Sequence, residues 1–154
     1  MSSSVYSREL EHIIDDMLFV PSLSKKHRTA NKVPTGVQLT RLIAKGMNGQ
    51  YLEKLQQHIP INILASTLDI SPRNLSKLYK GKLSKQQTDR LYSLILTWAD
   101  LRHFFQNDDE LLNEWLSSSN PLYSGDAPSK FISTVAGRNV LTSSLNAMRY
   151  GEFV

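Results

Sequence analysis

The chain has 154 residues, 40% of them apolar and 21% charged, which suits one medium domain or two small lobes sharing a core and argues against global disorder. It contains no cysteine, so a disulfide framework and a thiolate metal site are excluded, and no run of about 18 uncharged apolar residues is present to span a membrane. The net charge of +4 is unevenly divided: residues 1–20 hold one basic and four acidic side chains, residues 21–90 thirteen and three, residues 91–154 four and seven.

Such a division suggests parts with different partners. The basic middle either attracts a polyanion, with nucleic acid the first candidate, or is a solvated face. The opening "MSSSVYSRELEH" lacks the basic-then-apolar build of a secretory signal. A cytoplasmic protein is therefore expected.

In chain order, "SRELEHIIDDMLFV" carries Leu10, Ile13, Ile14, Met17 and Leu18 at helical spacing, with Ser7 as the expected cap. This helix over 7–20 either forms a dimer contact or covers its own core. "PSLSKKHRTANKVPTG" reads as an irregular arm bounded by Pro21 and Pro34, in which Lys25, Lys26, His27 and Arg28 either seek phosphate or are simply solvated. "TGVQLTRLIAKG" predicts a helix stopped by Gly46; a second starts with Asn48 as cap; Pro60 opens a third.

The longest predicted helix is "LSKQQTDRLYSLILTWADLRHFF". Ser84 and Gln87 have capping-box spacing, and the apolar stripe is Leu91, Leu94, Ile95, Trp98, Leu101 and Phe105. "DDELLNEWL" repeats the pattern with Leu111, Leu112, Trp115 and Leu116. After the turn-rich "SSSNPLYSGDAP", two short helices are expected over roughly 128–134 and 138–150. No alternating run is long enough for a strand. The expected fold class is all-α.

The most specific local pattern is "INILASTLDISPRNLSKLYKG". A helix-turn-helix needs a small residue where its two helices approach, here Ala65, and buried apolar residues around it, here Leu64, Leu68, Ile70, Leu75 and Leu78. The turn usually holds glycine; Asp69 stands there and tolerates a left-handed backbone better than most residues. Ser71 is expected to cap the second helix, with Pro72 in its first turn.

Such a helix presents its N-terminal side chains to base edges in the major groove. Arg73 and Asn74 are the expected base readers, because an Arg fork fits guanine and an Asn amide fits adenine. Lys77, Lys80, Lys82 and Lys85 are assigned to phosphate, and Ser71 and Ser76 complete the DNA-facing set.

The chain ends "SLNAMRYGEFV", two aromatics around a glycine and an acid where a polar, frayed end is usual. Such a tail either packs on its own last helices or belongs in a pocket on another molecule. The segment from Trp115-Leu116 through Asn120-Pro121, Gly125, Pro128 and Gly137 to Tyr150-Gly151-Glu152-Phe153 resembles the toxin-binding domain of Xre-type antitoxins from Res–Xre toxin–antitoxin modules. "LIAKGMNGQYLEKLQQHI", the helix-turn-helix pattern and "GKLSKQQTDRLYSL" are similar to that family's amino-terminal domain in order and spacing. The resemblance covers about residues 37 to 154. It departs from the family at Tyr123-Ser124-Gly125, at Ala127-Pro128 and at Asp69.

The resemblance implies a helix-turn-helix DNA-binding domain over 37–107 and a small helical toxin-binding domain over 108–154, with residues 1–36 of unassigned role. It implies a dual activity: repression of the chain's own operon at operator DNA, and occlusion of the active site of a Res-fold, NAD-acting protein toxin. Tyr150, Gly151, Glu152 and Phe153 would enter the toxin cleft, Glu152 pairing with a cation and the aromatics filling ring-shaped space. Arg138, Asn146 and Arg149 are secondary toxin contacts on the same face. A homodimer within a larger complex is expected, since such proteins pair two half-sites. The other reading is a stand-alone regulator whose carboxy-terminal half dimerises or senses a ligand.

Enzyme chemistry finds little support. His12, His27, His58 and His103 lack metal-ligand spacing, and there is no glycine-rich phosphate loop or nucleophile elbow. Asp108, Asp109 and Glu110 are explained as acids at a helix start. No catalytic residue, metal or cofactor is expected.

Overall fold

The computed structural model describes residues 36–151, with the side chains of residues 38, 39 and 42 excepted. The expected helix over 7–20, the basic arm and the tail residues Glu152 and Phe153 lie outside the described residues. Among those described the fold is all-α. Its helices are α1 (Gly36–Lys45), α2 (Gln50–Leu55), α3 (Ile61–Thr67), α4 (Lys85–Phe104), α5 (Asp109–Ser117) and α6 (Val135–Arg149). Three 3-10 segments, Pro72–Leu78, Pro121–Tyr123 and Pro128–Lys130, join them.

Local chemistry accounts for most helix ends. Gly46 follows α1 with φ +80°, the left-handed geometry that glycine adopts freely. At α4 the capping box forms: the Gln87 N–H donates to Ser84 Oγ at 3.1 Å and the Ser84 N–H to Gln87 Oε1 at 2.9 Å. Asn48 Oδ1 accepts the Gln50 N–H at 3.0 Å, so it caps α2 from one residue further out than a standard cap.

Two expectations at the carboxy-terminal end are corrected. The helix expected over 128–134 is only the 3-10 turn Pro128–Lys130, and the last helix starts at Val135 rather than 138. The cause is Thr134, whose Oγ1 accepts the Gly137 N–H at 3.0 Å and so sets the cap early. The preceding residues are used in turning the chain. Gly137 then passes so close to residue 131 that a Cβ on it would lie 1.9 Å from the Phe131 carbonyl oxygen.

α4 is the central element. It packs against α1, α3, α5 and α6, and its buried residues (Leu91, Tyr92, Leu94, Ile95, Thr97, Trp98, Leu101) go well beyond one stripe. Phe105, the expected end of that stripe, is half-buried just past the helix. One continuous core runs from Met47 through Leu64, Leu91 and Trp98 to Leu112, Leu116, Leu141 and Leu145. The expected division between residues 107 and 108 falls inside this core. Each fully buried leucine contributes roughly 1.5–3 kcal/mol relative to exposure.

A polar tie crosses the same division. Arg102, itself buried, donates from Nε to Asp109 Oδ1 at 2.9 Å, joining the end of α4 to the start of α5. Between them the backbone takes two consecutive left-handed residues, Gln106 (φ 55°) and Asn107 (φ 61°). The Asn107 N–H closes the α4 terminus by donating to the Arg102 carbonyl at 2.7 Å.

Candidate nucleic-acid interface and carboxy-terminal surface

The α3 terminus builds the tight turn. Ala65 is buried between Leu64 and Leu68, and its carbonyl accepts the Ile70 N–H at 3.0 Å while the Ser66 carbonyl accepts the Asp69 N–H at 3.2 Å. That is a Schellman closure with Asp69 at its left-handed position, φ 57°, where glycine was the usual expectation. Leu75 is buried, while Ile70 and Leu78 pack half-buried on the core.

The second segment differs from its expectation in two ways. Pro72–Leu78 is a 3-10 helix, not an α-helix, and Ser71 makes no side-chain cap bond. Instead the Ser71 carbonyl accepts the Asn74 N–H at 2.9 Å, the i to i+3 pattern of the tighter helix. The tightening has a visible partner. A Cβ at Gly49 would lie 1.7 Å from the Leu78 carbonyl oxygen, so the start of α2 is pressed against the end of this segment. The Gly49 N–H donates to the Gly81 carbonyl at 2.7 Å, and Asn48 and Lys82 form an antiparallel bridge.

Of the residues expected to face DNA, Ser71, Arg73, Ser76, Lys77, Lys80, Lys82 and Lys85 are exposed and Asn74 is half-buried. Among the described residues, the ion pairs are Arg102–Asp109 and Lys130–Asp126, so none of these cations is bound to a carboxylate. Ser76, Lys77 and Lys80 come together around an open depression of about 610 Å³, whose other walls are Gln50, Glu53 and Tyr79. Arg73 and Asn74 do not line it. Lys85 stands apart, in a second depression of about 500 Å³ with Thr40, Ile43, Gln86 and Asp89.

Tyr79 was not among the expected residues. Its hydroxyl accepts from Gln56 Nε2, and burial, followed by the nearby Glu53 carboxylate, pushes its pKa up. The Tyr79 proton is therefore held more tightly than usual beside two lysines.

At the other end the toxin-facing set divides. Arg138 is 2% exposed and its guanidinium is used internally: Nε and Nη2 donate to Ser93 Oγ at 3.2 and 3.1 Å, and Nη1 to the Ile132 carbonyl at 2.9 Å. It is a tie between α4 and α6, not a free surface cation, and burial lowers its pKa. The physical reason is packing: this start of α6 lies against α4, where Ser93 and the Ile132 carbonyl are within reach of the guanidinium. Arg138 shares its face of α6 with Leu141 and Leu145, and that face is the packed one.

Arg149 lies on the same side one helix length later, exposed, with its guanidinium 5.7 Å from the centre of the Phe104 ring. Asn146 is exposed, and its carbonyl accepts the Tyr150 N–H at 3.1 Å. Tyr150 is 78% exposed, so at this position the tail does not pack on the last helices. Gly151 follows with φ 67°, turning the chain out of the helix.

A line of aromatics behind this end was missed by sequence reasoning. Phe104, Phe105, Trp115, Tyr123 and Phe131 meet in succession, with ring centres 5.2, 5.3, 6.4 and 5.2 Å apart. Phe104 and Phe105 are adjacent at the end of α4 and the others come from separate parts of the chain with no common period, so no local pattern announces the line. Among the described residues, no group of three or more His, Asp and Glu side chains is placed to hold a metal ion, and no helix is long and apolar enough to cross a membrane. The chain matches no known family model, and no curated protein is similar to it in sequence.

Proposed function

We propose that this chain is an antitoxin of a type II toxin–antitoxin module, acting in the cytoplasm as a DNA-binding repressor of its own operon and as an inhibitor of a Res-family toxin. The observation that carries the DNA half is the exposed set Arg73, Lys77, Lys80, Lys82 and Lys85, in no ion pair among the described residues, on and just beyond a short helix that follows a tight Ala65–Asp69 turn. Cations held away from carboxylates are available to phosphate, and phosphate contacts supply most non-specific affinity. A homodimer would present two such segments to half-sites roughly 34–36 Å apart.

The toxin half is supported by the resemblance over residues 37–154 and by the exposure of Tyr150 ahead of the left-handed Gly151. An aromatic side chain left in water at a helix end is suited to a partner's pocket. Arg138 has no part in this surface; Asn146, Arg149 and Tyr150 remain, with Glu152 and Phe153 beyond them in sequence.

Two experiments test the two halves separately. Removing residues 151–154 is expected to abolish protection of cells against the co-expressed neighbouring toxin while DNA affinity stays within twofold; full protection by the truncated chain would refute the tail as the plug. Lys77→Ala is expected to weaken binding to all duplexes and to reduce the slope of log affinity against log salt by about one. Arg73→Ala is expected instead to relax sequence preference, by about 1–3 kcal/mol at one base pair.

A further inference from the structure

The open depression of about 610 Å³ has two kinds of wall. Gln50 and Glu53 come from α2; Ser76, Lys77, Tyr79 and Lys80 come from the far end of the 3-10 helix and the residues just beyond it. At three residues per turn, side chains at i and i+3 eclipse. Leu75 and Leu78 therefore share the row packed on the core, Ser76 and Tyr79 make the next row, and Lys77 leads on to Lys80 in the third. A row of hydroxyls stands beside a row of ammonium groups, and both reach the depression.

Five of the six lining side chains carry a donor: two ammonium groups, two hydroxyls and the Gln50 amide. Gln56 Nε2 donates to the Tyr79 hydroxyl, which uses one of its lone pairs and leaves its own proton to donate. Burial and the nearby Glu53 carboxylate hold that proton to higher pH than usual. Donors gathered around a cationic pair suit an oxyanion. Two lysines against one glutamate leave a net charge of +1. That balances a phosphodiester, which bears a single negative charge, better than a phosphate monoester at about −1.5 to −2.

We propose that this depression seats one phosphodiester of a nucleic-acid backbone, with Lys77 and Lys80 supplying charge and the Tyr79 hydroxyl donating to a non-bridging oxygen. Ser76 and Gln50 stand alongside, and Glu53 limits the affinity and disfavours dianions. The proposal rests on the DNA-binding reading and deepens it, because it fixes where the backbone runs. The strand lies across α2 and the end of the 3-10 segment, which leaves Arg73, outside the depression, to the groove.

The test measures affinity of the full-length chain for a random-sequence duplex over a range of salt, by fluorescence anisotropy. Tyr79→Phe removes one oxygen and is expected to weaken binding about tenfold, as for a hydrogen bond to a charged group. The slope of log affinity against log salt should stay unchanged, because a neutral hydroxyl releases no counterion. Lys80→Gln should lower that slope by about one. Weaker binding by Tyr79→Phe with a lowered slope would mean that the substitution displaces the lysines, and would overturn the contact.

Glu53→Gln is expected to raise affinity about threefold, a gain that misfolding cannot produce. Glu114→Gln removes the same charge from an exposed position on α5, outside the depression, and is expected to change nothing. Equal gains in both variants would reflect overall charge alone and overturn the seat. Inorganic phosphate, compared with chloride at equal ionic strength, should not displace the duplex. Displacement that disappears in Tyr79→Phe would identify free phosphate as the occupant and refute the proposal. An unsubstituted chain that binds no duplex even at low salt refutes the DNA-binding reading and this seat with it, whereas undiminished binding by Tyr79→Phe refutes the seat alone.

Discussion

At the scale of the residue, the molecule is decided by where polar groups find partners. Thr88 is buried, and its Oγ1 accepts the Met47 N–H at 2.9 Å across 41 residues of sequence, fixing the loop after α1 against α4. Tyr92 is the opposite case. It is buried in α4, yet among the described residues its hydroxyl has no hydrogen-bond partner, and burial raises its pKa. The folded state thus holds the Tyr92 proton to higher pH than the unfolded state does. That stability is present below the ordinary tyrosine value of about 10 and is lost as pH rises through the raised one. Tyr92→Phe is expected to leave stability at pH 7 unchanged or higher by about 1 kcal/mol, and to flatten its decline above pH 10. Urea unfolding at pH 7 and at pH 10.5 checks both. Some slope should remain from Tyr79, raised in the same direction.

At the scale of the element, close approach is the recurring device. α6 lies beside α4 and runs in the same direction, with Arg138 meeting Ser93 near its start and Arg149 covering Phe104 at its end. The start of α6 is pressed onto the turn before it, because Gly137 leaves no room for a side chain beneath the Phe131 carbonyl. Gly137→Ala is expected to destabilise the fold by about 2 kcal/mol or more, since backbone must move to admit the methyl group. Chemical denaturation measures that loss directly. The Gly137 position was legible as a matching point in the sequence, but its reason was not: the carbonyl it accommodates lies outside α6, and its own φ is not left-handed.

At the scale of the whole molecule, one core serves both halves of the chain. Trp98 lies at the centre of α4 and Trp115 on α5, beyond the expected division at 107 and 108, and both belong to the same packed cluster. Unfolding is therefore expected to be a single cooperative transition. Tryptophan fluorescence and far-ultraviolet circular dichroism should give coincident urea midpoints, whereas two independent domains would separate them. A shared core also means that a partner gripping the α6 end and DNA beside Lys77 would act on one rigid scaffold, with α4 between them.

What the sequence by itself determined was whatever depends on neighbours within a few residues. The Ser84–Gln87 box, the Gly46 stop, the left-handed Asp69 and the all-α class follow from side-chain length and backbone sterics, which act locally. What only the tertiary structure decided was which face of each helix is covered. Arg138 and Arg149 are indistinguishable by helical phase, yet one is buried against Ser93 and the other is exposed over Phe104. The 3-10 form of Pro72–Leu78 goes with Gly49 pressed on its end, and Tyr79 beside Lys77 and Lys80 depends on α2 lying across the same depression. Burial is set by packing between elements far apart in the chain, and periodicity along one element carries no record of its neighbour.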